Sequence, residues 1–373
     1  MVQVETFYGQ DAEHRCWLNP LRELWGLSSR QELTPVLEEK LCYTATMSGS
    51  YESAARVADK WGSAVEDSTI HAHVQQAGAR AEQLERRRVE RALDPDTRAQ
   101  VVAETGERLG DESFSLVIEV DGWMVRERAS QWGLKPPEKQ GDRVAWHEMK
   151  TGVIFRLEDR ARTQSQRPVI LGKTYVAWRG EPGEFGRRLH AEAIRQGLHQ
   201  AQQVYVVADG AVWIWNIVQD RLSGAVEVLD FYHAAQHLWA VAEELYGEDR
   251  QAARRWVSPL LHKLKYGGQE QVRSRLKHRL RCCLRHNDPA AAVVEREVCY
   301  FERHRDRLNY SQVHDEGCPI GSGAIESTCA QLQTRFKRTG QFWTPPGQGR
   351  LMALELARRN DDWEELWENQ LVA

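Results

Sequence analysis

The sequence lacks the features that mark secreted, disulfide-stapled and membrane-spanning proteins. Its 373 residues include only seven cysteines, an odd number without a CxxC spacing. That usage favours reduced thiols over a disulfide framework. No signal peptide opens the chain, and no apolar run is long enough to cross a bilayer. We therefore expect a cytoplasmic protein that has no membrane partner.

An overall excess of basic charge is missing as well. The formal net charge is -4 and the isoelectric point is about 6.4, so the composition as a whole does not indicate a nucleic-acid-binding protein. The charge is uneven, however. Between Arg250 and His286 there are eleven Lys or Arg residues and one acid, Glu270. Such a cluster can contact phosphates even in an acidic chain.

The stretch 317–343 combines a breaker-rich loop with a helix. From Ala324 onward, the apolar residues 325, 329, 332 and 336 recur with the spacing of one helix face. Glu326 lies in the first turn, where the helix dipole favours an ionised carboxylate. One interpretation is an ordinary surface glutamate on an amphipathic helix. The other is a site where metal and phosphate meet, because three cations follow: Arg335, Lys337 and Arg338.

Two aspartates follow apolar runs that read as strands. Asp121 comes directly after Ser115–Val120, and Asp209 comes directly after Val204–Ala208. Carboxylates at the ends of adjacent strands can point to one place, and Glu326 can complete a set of three hard oxygen ligands for Mg²⁺ or Mn²⁺. Asp209 lies 88 residues after Asp121, and Glu326 lies a further 117 residues on, too far for one βα unit. The set therefore needs an inserted domain. Alternatively, both Asp-Gly pairs are simple turns.

Asp230 and His233 form a second local pattern. Asp230 can cap a helix whose first turn carries His233, and His237 falls on the same face. Three hypotheses stay open for this group: a structural clamp between Asp230 and His233, a contact to the end of a DNA, and a zinc site that includes His237.

The order of predicted elements is that of a ribonuclease H-like domain. A strand over 115–120 is followed by a hairpin around Thr151-Gly152 and a strand over 169–178. A helix over 184–203 and strands over 204–208 and 226–229 come next. The region 231–316 is almost wholly helical, and 351–371 forms a last amphipathic helix.

The N-terminal region contains helix-turn-helix spacing. Ser53 can cap a short helix through Trp61, Gly62 makes the turn, and a second helix spans about 65–75 with Ile70 and Val74 inward. A separate polar helix is expected over 80–91. The alternative to a DNA reader is a plain helical hairpin. In the first case the exposed face would present base-contacting side chains: Ser68, Thr69, His71, His73 and Gln75.

Four motifs, in this order, resemble the DDE transposases of bacterial insertion sequences. They are LVIEVDGWMV (116–125), VYVVADGAVWIWNIV (204–218), LDFYHAAQHL (229–238) and PIGSGAIES (319–327). More narrowly, the chain is similar to Kra/Lre-type transposases of the Mutator-like branch over about residues 110–370. The resemblance implies Asp121, Asp209 and Glu326 as catalytic and metal-binding residues, with Mg²⁺ or Mn²⁺ as cofactor and with Asp230 and His233 as a supporting Asp-x-x-His motif.

The implied architecture is α/β: a ribonuclease H-like mixed sheet with a large all-helical insertion and an N-terminal helical, helix-turn-helix domain. The expected domains are 1–105 for DNA binding, with the helix-turn-helix near 50–78, and 106–245 for the first part of the catalytic core. The insertion would be 246–316, and 317–373 would complete the core with the catalytic helix.

The implied function is a transposase that binds the ends of its element and performs metal-dependent phosphodiester hydrolysis and strand transfer. Its partners would be double-stranded terminal-repeat and target DNA, and it would act as a homodimer or higher oligomer in the bacterial nucleoid. Two alternatives are a ribonuclease H-like nuclease without strand transfer and a helix-turn-helix regulator with a vestigial catalytic fold. The expected DNA contacts are Arg273, Arg275, Lys277, Arg279, Arg335, Lys337, Arg338, Thr69 and His71.

Overall fold

The computed structural model describes residues 9–10, 17–18, 24, 33–110, 112–129, 132, 143–166 and 168–371. The strands in this part are β1 Gly9–Gln10, β2 Trp17–Leu18, β3 Ser115–Arg128, β4 Val144–Arg156, β5 Arg160–Arg162, β6 Pro168–Ile170, β7 Thr174–Arg179, β8 Gln203–Ala208 and β9 Val226–Leu229. The helices are α1 Pro35–Met47, α2 Tyr51–Lys60, α3 Asp67–Leu93, α4 Pro95–Leu109, α5 Pro182–Arg195, α6 Val212–Arg221, α7 Phe231–Tyr246, α8 Arg250–Lys265, α9 Gln269–Arg285, α10 Ala291–Arg303, α11 Tyr310–Asp315, α12 Gly323–Phe336, α13 Pro345–Arg359 and α14 Trp363–Leu371, with a 3₁₀ turn at Arg305–Arg307.

Five of the strands form a mixed sheet in the order β7-β4-β3-β8-β9. Strands β3, β8 and β9 are parallel neighbours, and β4 pairs antiparallel with β7. Strand β4 also runs antiparallel to β3, since the Leu157 N–H donates to the Ser115 carbonyl at 2.9 Å while the Trp123 indole N–H donates to the Thr151 hydroxyl at 3.0 Å. The prediction of a mixed α/β sheet is thereby confirmed.

Several predicted boundaries in the sheet were wrong. The hairpin expected at Thr151-Gly152 does not exist, because β4 runs unbroken from Val144 to Arg156. The side chain of Thr151 and the backbone of Gly152 instead lie in a sheet interior, where glycine gives no turn. The strand expected over 169–178 is two strands, β6 and β7, separated at 171–173.

The predicted helical regions are helical in the structure, but several helices begin or end at other residues than predicted. The stretch from Phe231 to Asp315 is almost entirely helical, as expected. The two helices expected over 65–75 and 80–91 are the single long helix α3, and the last helix expected over 351–371 is divided into α13 and α14. Helix α5 ends at Arg195, earlier than expected.

The chain divides into two compact units, each discontinuous in sequence. One consists of 1–90, 124–148 and 330–373, and the other of 91–123 and 149–329. The predicted domain limits at 105, 245 and 316 stay predictions. The second unit has its core on the sheet, and the core includes fully buried residues on β3 and β8: Leu116, Val117, Ile118, Val206 and Val207.

In the first unit, α2 and α3 are joined by a turn that contains Gly62 with φ +81°. A positive φ of this size favours glycine. The side chains of Ile70 and Val74 are fully buried, as predicted. Ser50, and not the expected Ser53, caps α2, since the Ser50 hydroxyl accepts the Ser53 N–H at 3.1 Å.

In the part of the chain that the structure describes, no helix combines the length and the apolar character needed to cross a membrane.

Candidate active site

Asp121 and Asp209 lie side by side on neighbouring parallel strands. Strands β3 and β8 are in register up to the pair Val120 and Ala208, so the next residue on each chain is one of the aspartates. Adjacent strands are about 4.8 Å apart. Both aspartates are half-buried. The sequence predicts Asp121 at the end of a strand, but β3 continues to Arg128, so Asp121 lies within a strand.

Local hydrogen bonds orient both carboxylates. The Gly122 N–H donates to the Asp121 Oδ1 at 2.7 Å, and the Ala211 N–H donates to the Asp209 Oδ1 at 2.9 Å. Burial raises the pKa of Asp121, and the Asp209 carboxylate raises it further, while the Gly122 N–H and His233 oppose the rise. Two carboxylates that disfavour each other's ionisation are stabilised together by a cation.

Glu326 reaches this region on α12, whose first turn is held to β3. The Ile325 N–H donates to the Glu119 Oε2 at 2.8 Å, and the Glu119 side chain is only 1% exposed. Burial raises the pKa of Glu119 to about 8; the Ile325 and Ala324 N–H groups lower it, and Asp230 and Glu326 add to the rise. Because Glu119 and Asp121 are two residues apart, they share one face of β3.

Sequence reasoning missed Glu119. The signal was available, since it is the only charged residue in the apolar run 116–120. A buried carboxylate in such a run needs hydrogen-bond donors, and the start of a helix supplies them.

Asp230 anchors the loop that leads into α12. Its side chain is fully buried, its Oδ1 accepts the His233 N–H at 2.7 Å, and its Oδ2 accepts the Ser322 N–H at 2.5 Å and the Ser322 hydroxyl at 2.6 Å. The predicted capping of α7 by Asp230 is confirmed, whereas the predicted contact between the Asp230 and His233 side chains stays a prediction. Asp230 caps α7 through the His233 backbone and holds Ser322, while the His233 imidazole lies within electrostatic range of Asp121.

The structure does not favour the zinc hypothesis for Asp230, His233 and His237. The hydrogen bonds just described occupy the Asp230 oxygens, and the His237 Nδ1 lies 2.5 Å from the Glu297 Oε2. Among the described residues, no three His, Cys, Asp or Glu side chains lie close enough together to hold a metal ion in this conformation, and this includes Asp121, Asp209 and Glu326. The donor chemistry of Asp121, Asp209 and Glu326, three hard oxygen ligands, suits Mg²⁺ or Mn²⁺.

The basic side chains of helices α8 and α9 are of two kinds: some are paired with a carboxylate, and others have no such partner. Arg273 is buried, and its guanidinium donates to Glu302 Oε1 and Oε2 at 2.8 and 2.7 Å and also to Glu270. Lys277 is exposed, with its Nζ 2.9 Å from Glu302. These partners neutralise both cations, so the structure gives Arg273 a structural ion pair instead of a free phosphate contact.

Basic side chains without a carboxylate partner line a groove of about 720 Å³ between α8 and α9. Three basic side chains on its lining, Arg255, Lys263 and Arg275, have no carboxylate at ion-pair distance among the described residues. Trp256 also lines the groove, as does Glu270, whose carboxylate is paired with Arg273. Arg279 is half-buried on the same helix as Arg275. A groove with unneutralised cations and an aromatic ring is suited to a phosphate backbone.

The candidate DNA contacts of the other unit also include both exposed and buried basic side chains. Lys337 and Arg338 are exposed, whereas Arg335 is 6% exposed, with its guanidinium 5.2 Å from the Tyr51 ring and 5.4 Å from the Trp343 ring. Arg335 therefore packs inside its unit, which does not favour the predicted phosphate contact.

On α3, the predicted DNA-reading face is only partly exposed. His71 is exposed and packs edge-on against Tyr51, and Thr69 is half-buried. His73, also expected on that face, is buried with its Nδ1 3.4 Å from Glu38.

No protein-family model matches the chain, and no curated protein matches it. Among solved structures, the Drosophila P element transposase strand transfer complex is similar at a TM-score of 0.38 and 12% sequence identity, over 92% of this chain and 96% of that chain.

Proposed function

We propose that the protein is a DNA transposase of the DDE type, similar to the Kra/Lre group, that cuts and joins phosphodiester bonds at the ends of a mobile element. One observation carries the proposal. Asp121 and Asp209 occupy the same level of neighbouring parallel strands, and the helix that carries Glu326 is hydrogen-bonded to the same strand through Glu119. The strand order β7-β4-β3-β8-β9, with a helical insertion before α12, supports a ribonuclease H-like core.

In this proposal Asp121, Asp209 and Glu326 would hold two Mg²⁺ or Mn²⁺ ions, which stabilise the attacking and leaving oxygens of an in-line displacement at phosphorus. Neighbouring groups in the chain would position these three carboxylates. The Ala211 N–H fixes one oxygen of Asp209, and the two buried carboxylates of Glu119 and Asp230 fix the start of α12. A water molecule would attack a phosphorus at the end of the element and displace the 3′-oxygen, and the 3′-hydroxyl freed in this way would attack a phosphorus of the target DNA and displace a 3′-oxygen there. Neither step would form a covalent enzyme intermediate.

Each unit would supply its own DNA contacts. In one they are the groove lined by Arg255, Lys263 and Arg275, and in the other they are Lys337, Arg338, Thr69 and His71. Unneutralised cations release counterions from DNA, which gives affinity for any sequence, and polar side chains on α3 would recognise the terminal repeat. The partners are double-stranded terminal-repeat and target DNA, and a homodimer or higher oligomer would bring two ends together.

The test is a cleavage and strand-transfer assay with the full chain, Mg²⁺ and the DNA that flanks its gene. Asp121→Asn, Asp209→Asn and Glu326→Gln should each abolish cleavage while DNA binding stays within a few-fold of the parent. Asp220→Asn is the matched control, because that carboxylate is 71% exposed on α6. Full cleavage by any one of the three variants removes that residue from the site.

The same assay separates the alternatives. Hydrolysis without joined products would indicate a nuclease, and binding without cleavage by the parent chain would indicate a DNA-binding regulator.

A further inference from the structure

Tyr300, on α10 of the helical insertion, lies directly against the turn that follows Asp209. A Cβ atom placed on Gly210 would be 2.6 Å from the Tyr300 Cε2 and 2.7 Å from its hydroxyl oxygen. Real Cβ atoms do not approach other atoms so closely, so only glycine at 210 permits this contact. The Asp-Gly pair thus has a packing role that a simple turn would not need.

Neighbouring side chains hold the Tyr300 ring in place. The His237 imidazole stacks on it with centroids 3.5 Å apart and planes 20° apart, and the same imidazole is fixed by the Glu297 carboxylate. His304 packs on the ring at 4.7 Å. The hydroxyl therefore has little freedom to turn away from the Asp209–Gly210 turn.

The Tyr300 hydroxyl is closed off from solvent and has no hydrogen-bond partner within the described part of the chain. Leaving such a group without a partner is unfavourable, so a small movement that brings a neighbouring acceptor to the hydroxyl would be stabilising. Asp209 immediately precedes Gly210 in the chain, and its Oδ1 already accepts the Ala211 N–H. A tyrosine hydroxyl has one proton that it can donate in a hydrogen bond.

We propose that Tyr300 is a positioning residue for Asp209: its hydroxyl donates a hydrogen bond to the Asp209 carboxylate when that carboxylate turns to hold a divalent cation. The inference rests on the proposed function, because it assumes that Asp209 binds metal. It also gives the helical insertion a direct part in the acid site. Partners that orient a metal ligand typically change metal affinity or activity by about 10–100-fold.

The test measures Mn²⁺ binding to the metal-free full chain by titration calorimetry. Tyr300→Phe keeps the ring and its stacking and removes only the hydroxyl, so we expect Mn²⁺ affinity to fall about 10-fold or more with an unchanged or higher melting temperature. A general structural role would lower the melting temperature and leave the affinity unchanged. Gly210→Ala should also weaken Mn²⁺ binding, because the added methyl group displaces Tyr300.

Tyr310→Phe is the matched control. Its hydroxyl is also buried without a partner in the described residues, but its ring packs edge-on against Phe231. It should bind Mn²⁺ as the parent does. If Tyr300→Phe binds Mn²⁺ like the parent while Asp209→Asn does not bind it, this inference is overturned and the proposed function stands. If Asp209→Asn still binds Mn²⁺ as the parent does, the proposed metal site fails, and this inference fails with it.

Discussion

Replacing Asp230 tests whether the loop before α12 is held by one buried carboxylate. Asp230→Ala would leave three donors without an acceptor: the His233 N–H, the Ser322 N–H and the Ser322 hydroxyl. Each buried donor left unsatisfied costs about 1–3 kcal/mol. Removal of a buried charge offsets part of that loss, so we expect the unit to lose about 3–5 kcal/mol, a large share of a typical free energy of unfolding.

The companion variants follow from which atoms make the bonds. Ser322→Ala removes one hydroxyl bond and keeps both N–H bonds, so about 1–2 kcal/mol should be lost. His233→Ala keeps the hydrogen bond to Asp230, because the donor is the backbone N–H and not the imidazole. Its free energy of unfolding should change by less than about 1 kcal/mol.

Urea unfolding gives the size of each loss, and hydrogen exchange of peptides that cover 230–238 and 319–327 gives its location. Asp230→Ala should lose amide protection in both peptides, while His233→Ala should keep it in both. If His233→Ala destabilises the protein as much as Asp230→Ala does, the imidazole is the partner of Asp230 and the reasoning from the backbone bond is wrong.

Two further predictions concern charge. The pKa of Glu119 is about 8 in the folded chain against an ordinary value of 4.5, so its contribution to stability is complete below pH 4.5 and is lost as the pH rises to 8. Glu119→Gln should therefore be more stable than the parent above pH 8, by up to about 5 kcal/mol in metal-free urea unfolding, and the gain should vanish near pH 4. A pH-independent difference would contradict this. Replacing Arg255, Lys263 and Arg275 with Gln together should weaken binding to any duplex and lower the slope of log K against log salt by about 1–3. Arg273→Gln should lower the free energy of unfolding, because Glu302 loses its ion-pair partner, and should leave that slope unchanged. If the slope falls for Arg273→Gln and not for the triple variant, Arg273 is the phosphate contact and the three groove cations are not.

The local patterns of the sequence were enough to predict the strands and the helix that carry Asp121, Asp209 and Glu326. The apolar residues of α12 recur with helical spacing and are all buried: Ile325, Cys329, Leu332 and Phe336. The apolar runs before Asp121 and Asp209 became β3 and β8. Hydrophobic periodicity predicts these elements correctly because each of them buries one continuous apolar surface, and the residues of that surface all come from one stretch of sequence.

Strand continuity was decided by the sheet. Thr151-Gly152 has the composition of a turn, but in the sheet Lys150 pairs with Trp178 and Gly152 with Val176, so β4 continues through it. Gly152 is also approached by the Leu189 side chain, which a Cβ there would meet at 2.7 Å. A neighbouring strand and helix thus outweighed the local preference for a turn.

The partners of the polar groups were decided only by the tertiary structure. Asp230 meets Ser322 across 92 residues, and Glu119 meets Ile325 across 206. No local spacing encodes such pairs, since they depend on which helix end the fold brings to which strand. The same reason explains Arg273, which looks like a phosphate contact in a basic run but forms a partly buried ion pair with Glu302. A charge pattern shows which side chains can bind an anion, and only the fold determines whether the protein already supplies that anion.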